Sequence, residues 1–164
     1  MQKKIVCMLT AFLLAGTAEV LQADGSEILL CGAEDPLNHE EEHQRQMNAC
    51  AMAVLENSDL YSVLMTHRPE RADEYRTHPA DLILTGHAHG GQWRFFWAKS
   101  GVYAPDQGFF PPKTGGVFRR GDKRTVVSRG LGNVTPFPRF GNPPEMVGIT
   151  ILPADDGAAD SCAR

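Results

Sequence analysis

Short apolar runs separated by polar, turn-rich segments organise the chain between positions 27 and 128. The runs at 27–31 (EILLC), 61–65 (YSVLM) and 81–85 (DLILT) are too short for helices and too continuous for half-exposed strands. They read as buried strands of a partly parallel sheet. Between the first two, Asn38 can cap a helix over 39–55 with Met47, Cys50, Ala51, Val54 and Leu55 on one face. A short polar helix over 71–75 precedes the third run. Further β-like stretches lie at 116–120, 125–128 and 146–152, and a short strand at 20–21 turns through Asp24-Gly25 into the first run. Strand and helix alternate, so the expected fold class is α/β, a mixed sheet with flanking helices. No repeat or low-complexity linker divides the chain, and 164 residues suit one domain.

Residues 1–18 carry two readings. A basic start followed by IVCMLTAFLLAG has the layout of a signal peptide, with Gly16-Thr17-Ala18 as a small-residue cleavage site. The same residues also suit an internal amphipathic helix ending at Gly16. The first reading implies secretion. The second implies a cytoplasmic or membrane-peripheral protein whose Met1 is an internal start. The apolar run is too short to anchor in a bilayer, and residues 153–164 read as a disordered tail.

Sixteen Lys/Arg against twenty Asp/Glu give a net charge of −4, which speaks against a dedicated nucleic-acid binder. The charge is segregated, however. Residues 94–139 hold nine basic and two acidic side chains within an otherwise acidic protein, a balance suited to a small anionic ligand such as a phosphate ester or to a solvated surface. Arg119, Arg120, Lys123 and Arg124 flank Gly121-Asp122 and are expected at a solvated hairpin tip. Four cysteines without short paired spacing argue against a disulfide framework or a cysteine zinc site.

Two histidine constellations compete for the chemistry. His39-Glu40-Glu41-Glu42-His43 matches H-E-x-x-H, the zinc-protease pattern. Yet residues 39–46 contain no apolar side chain to bury such a helix, and glutamates at a helix start are favoured by its dipole alone. The second constellation is His67, in T-H-R-P, with His87 and His89, in G-H-A-H-G-G-Q. Each group directly follows a short apolar strand, at the sheet edge where open α/β folds bind ligands. Flanking glycines let the backbone turn there, and neutral imidazole is a usual ligand for zinc, iron and similar ions.

These residues also carry a resemblance. From about Leu9 to Leu152 the chain resembles the calcineurin-like metallophosphoesterases, in particular a bacterial branch that includes cell-envelope phosphodiesterases. The matching pieces are LLCGAEDP (29–36), THRPE (66–70), DLILTGHAHGGQ (81–92), GGVFRRG (115–121), SRGLGN (128–133) and PPEMVGITIL (143–152). The resemblance implies a partial metallophosphoesterase sandwich over 1–152, with two manganese, iron or zinc ions in the complete site. His67 and His87 would share one ion, and His89 would serve the other. The basic side chains Arg68, Arg129 and Arg139 would complement the phosphate of a phosphate-ester substrate where they face the cleft. A lipid-linked ester met at a membrane surface is one candidate.

The family's first half also supplies D-x-H, G-D-x-x-D and G-N-H-[D/E] segments. No D-x-H occurs in this sequence, and Leu37-Asn38-His39-Glu40 stands on the wrong side of the Cys31–Pro36 segment for the last motif. The resemblance therefore covers the C-terminal half only. It implies a chain inactive in phosphodiester hydrolysis unless the missing half is supplied. A non-catalytic metal-binding or inert remnant and an H-E-x-x-H protease remain as alternatives.

Overall fold

A computed structural model describes residues 4–5, 16–23, 25–33, 41–98, 100–133 and 138–152. A two-residue strand, β1 (Lys4–Ile5), opens the chain. An antiparallel hairpin follows, β2 (Ala18–Ala23) and β3 (Ser26–Gly32), turning at Gly25 with φ 74°. Helix α1 (Glu41–Glu56) crosses to β4 (Tyr61–Met65). A 3₁₀ turn at Pro69–Arg71 leads into the single-turn α2 (Ala72–Tyr75) and then β5 (Leu82–Thr85). A small hairpin of β6 (Tyr103–Ala104) and β7 (Gly108–Phe109) precedes β8 (Gly116–Arg120), β9 (Lys123–Val127) and β10 (Ile149–Thr150).

Six strands form one sheet in the order β2-β3-β4-β5-β9-β8. The inner four run parallel, and an antiparallel strand closes each edge. The expectation of an α/β mixed sheet therefore holds, and its few helices are compatible with a partial α/β sandwich. The inner strands are buried on both faces and apolar at 28–31, 63–65 and 82–83, whereas β9 opens with Lys123, Arg124 and Thr125. Leu29, Cys31, Leu64 and Ile83 face Ala51, Met52 and Leu55 of α1. Ile28, Leu30, Val63, Met65 and Leu82 point the other way, toward Leu21, Leu84, Val126, Ile149 and Ile151.

Several elements depart from expectation. The face that α1 buries is Ala51, Met52 and Leu55, while Cys50 is exposed and Val54 is half-exposed. Residues 49–55 are apolar all round the helix, so periodicity alone cannot choose the face. The stretch 146–152 contributes only β10, which pairs with β1. Lys123 is no solvated tip: its Nζ donates to the carbonyls of Arg76, at 2.8 Å, and His78. The proposed Asn38 cap, the Leu37–Glu40 match, residues 6–15 of the leader or helix, and the tail 153–164 lie outside the described residues. Among the described residues, no helix is long and apolar enough to cross a membrane.

Candidate functional site

Parallel strands deliver their carboxyl ends to one edge of the sheet, and the backbone ties them together there. Thr66 N–H donates to the Leu84 carbonyl at 2.9 Å, Gly86 N–H to the His67 carbonyl at 3.2 Å, and Ser128 N–H to the Thr85 carbonyl at 2.8 Å. Thr85 Oγ1 adds a bond to the His67 carbonyl at 2.8 Å. These bonds fix His67, His87 and Arg129 as successors of β4, β5 and β9 on a common rim. A cavity of about 340 Å³ opens there, lined by His67, His87, His89, Arg129, Glu145 and an apolar wall that includes Met65, Leu84 and Val126.

The structure brings His67 and His87 into contact, with ring centroids 4.4 Å apart and planes inclined by 58°. His89 borders the same cavity, but its Nδ1 is directed at neighbours that do not line it. Its Nδ1 lies 3.4 Å from both the Gly132 carbonyl and Arg139 Nη2. Burial, with the nearby Arg139 and His87 charges, lowers the His89 pKa below the ordinary imidazole value, so the ring favours its neutral form.

The turn is built differently from the sequence expectation. His87 and His89 themselves hold left-handed backbone, at φ 57° and 46°, whereas Gly86 does not. Gly90 and Gly91 follow at φ 69° and 74°. At Gly91 a Cβ would stand 2.4 Å from the Gly101 Cα, so the second glycine serves close backbone approach as well as conformation. Asn142, unremarked in the sequence, clamps the loop: its Nδ2 donates to the carbonyls of His89 at 2.7 Å and Gln92 at 3.2 Å.

The arginines expected at the site are all engaged within the protein. Arg68 Nη1 lies 3.0 Å from Asp106 Oδ2 and 3.1 Å from Glu70 Oε1. Arg129 pairs with Glu145, and Arg139 donates to the Arg129 carbonyl at 2.6 Å and through Nε to Gly132 at 2.8 Å. Of these three, Arg129 lines the cavity.

Sequence reading also missed Asp106, whose Oδ2 lies 3.1 Å from His87 Nε2. That contact, with Arg68, holds the Asp106 carboxyl below the usual carboxylate range. Asp81, by contrast, sits at the opposite end of the sheet, accepting from the N–H and hydroxyl of Ser62 at 2.7 and 3.1 Å. Asp35, His39 and Glu40 lie outside the described residues.

As a test of metal fit, the donor chemistry is right and the set is incomplete. Two imidazole donors touch, and a third borders their cavity. The carboxylate on the cavity wall, Glu145, is taken up by Arg129. Among the described residues no group of three or more His, Cys, Asp or Glu gathers as a metal-holding cluster.

Comparison with known proteins gives this arrangement its context. An uncharacterized metallophosphoesterase of Bacillus subtilis, YkuE, is 30% identical over 131 residues, 79% of this chain and 42% of that protein. An uncharacterized metallophosphoesterase of Campylobacter jejuni, Cj0846, is 36% identical over 92 residues, 56% of this chain and 23% of that protein. The UDP-2,3-diacylglucosamine pyrophosphatase LpxG of Chlamydia trachomatis is 29% identical over 101 residues, 55% of this chain and 29% of that protein. The chain thus spans less than half the length of each of these relatives. No family model and no solved structure matches it.

Proposed function

The chain is related to the metallophosphoesterases over most of its length, and on that premise we propose that it carries the imidazole half of a two-metal phosphoester-hydrolysing site. The observation that carries the reading is the contact of His67 with His87 at the carboxyl edge of the sheet, beside the cavity. In this reading His67 and His87 hold one ion and His89 the other. Divalent ions in such a pair supply Lewis acidity and charge at the phosphoryl oxygens.

The chain's own residues do the rest. Neutral His89 keeps a lone pair available for ligation, as its depressed pKa favours. Arg129 sits on the cavity wall, where a phosphoryl group could exchange for its Glu145 partner. Arg139, bonded to the Arg129 carbonyl, holds that loop in place, and Arg68 orders the opposite rim.

A lipid-linked phosphate ester is the substrate class we propose. Support comes from the apolar cavity wall and from a relative named for a diacylated UDP-sugar. The exposed Phe96 and Trp97, packed edge to face at 4.6 Å, suit a membrane surface.

The chain alone is proposed to turn over little or no substrate. Three neutral imidazoles leave two adjacent dications without a bridging carboxylate to offset their repulsion. The test is hydrolysis of bis(p-nitrophenyl) phosphate with added manganese, by the chain alone and together with the N-terminal half of a related enzyme. Activity restored only by the added half, and lost again in His87→Ala, is the expected result. Robust turnover by the chain alone would overturn the half-site reading.

A further inference from the structure

Asp106 belongs to no motif that marked the site, yet the fold carries it to His87 by a defined route. Ala104 and Gly108 pair in the β6-β7 hairpin, and Gln107 N–H donates back to the Ala104 carbonyl at 3.3 Å. With Pro105 at the second position and Asp106 at the third, at φ 58°, this matches a type II turn. Such a turn ordinarily wants glycine or asparagine at its third position, so aspartate there is a strained choice. What the strain provides is contact. Asp106 Oδ2 receives both His87 Nε2, at 3.1 Å, and Arg68 Nη1, at 3.0 Å. The His87 and Arg68 side chains are only 11% and 9% exposed, so two of the three partners cannot swing away into solvent. Glu70 braces Arg68 in turn, at 3.1 Å.

An ionised carboxylate only accepts hydrogen bonds, so the nitrogen facing it must carry the proton. We propose that Asp106 is a positioning residue that holds His87 as its Nε2–H tautomer and leaves Nδ1 as the nitrogen that binds the ion shared with His67. This rests on the metal reading above and deepens it. Histidine ligands of metal sites are commonly oriented in this way through their second nitrogen. Here the orienting group comes from a hairpin 19 residues downstream of the histidine.

The experiment uses the full chain, ¹⁵N-labelled and metal-free, above the imidazole titration range. Long-range ¹H–¹⁵N spectra assign the tautomer of each histidine, with His87→Gln identifying the His87 signals. Asp106→Gly removes the carboxylate while keeping the turn's positive φ, and Asp106→Asn keeps an acceptor there. The wild type and Asp106→Asn are expected to show one Nε2–H form of His87, and Asp106→Gly a mixture. Manganese titration should then give about 10–100-fold weaker binding for Asp106→Gly, with most of the affinity kept in Asp106→Asn.

A proton on Nδ1 of His87 in the wild type would overturn the proposal. So would tautomer populations and manganese affinity that stay unchanged in Asp106→Gly. If the wild type takes up no manganese, the metal reading fails, and the spectra alone then decide the role of Asp106.

Discussion

His87 and His89 hold left-handed backbone, a region that costs a non-glycine residue about 1–2 kcal/mol. Histidine tolerates it better than most residues, but two in one short loop persist only where the surroundings enforce them. The enforcement is visible in Asn142, bonded to the His89 carbonyl, and in Gly91, packed backbone to backbone against Gly101. The glycines of G-H-A-H-G-G-Q are therefore not equivalent. An added methyl at Gly86 meets nothing within 4 Å, whereas at Gly91, φ 74°, it meets the Gly101 Cα at 2.4 Å. Gly91→Ala should cost about 2–5 kcal/mol of stability, the sum of a left-handed penalty and overpacking. Gly86→Ala should cost less than about 1 kcal/mol. Urea unfolding midpoints of the two variants check the contrast, and equal losses would refute it.

Among the elements, the strands were readable where burial made the run largely apolar, as at 61–65, found as Tyr61–Met65 without shift. The β8-β9 hairpin was readable because Gly121-Asp122 separates two β-like stretches, and Gly121 takes the positive φ that the tight turn needs. The β6-β7 hairpin was not, since two-residue strands have no periodicity to detect. With it went Asp106, although Pro-Asp-Gln-Gly at 105–108 is a turn signal that could have flagged the position. His67, His87 and His89 were legible as a group because each follows an apolar run. Their unequal geometry was not, because it depends on Gly132, Asn142 and Asp106, remote in sequence.

The short α2 illustrates the same limit for charge. Asp73 reads as a surface residue of a polar turn, yet its carboxylate binds Lys113 Nζ at 2.9 Å and Arg76 Nη1 at 2.6 Å. These partners, Lys113 foremost, lower its pKa below the ordinary carboxylate value. A depressed carboxylate contributes stability above its unfolded pKa, and that contribution disappears as pH falls through the folded one. Asp73→Asn should therefore lower stability near neutrality and flatten part of the acid-side loss, the difference from wild type shrinking as pH falls. Thermal midpoints across the acid range check this. Because Asp73 is 57% exposed, added salt should shrink the difference.

For the molecule as a whole, the sheet supplies a rim, three imidazoles and a cavity, while Lys113 and Arg129 of the basic stretch, and Arg68 before it, are held by carboxylates. Lys113 pairs with Asp73, Arg68 with Glu70 and Asp106, and Arg129 with Glu145. A phosphate-binding surface suggested by charge counting thus narrows to Arg129 on the cavity wall. The central claim is that His67 and His87 share a metal ion at that cavity. The most direct measurement is an anomalous difference map from crystals of the chain grown with manganese, alongside the His87→Ala variant. A peak between the imidazoles of His67 and His87 that vanishes in the variant is the predicted result. A peak at His39 and His43 instead, or none near His67 in the manganese-bound wild type, would contradict it.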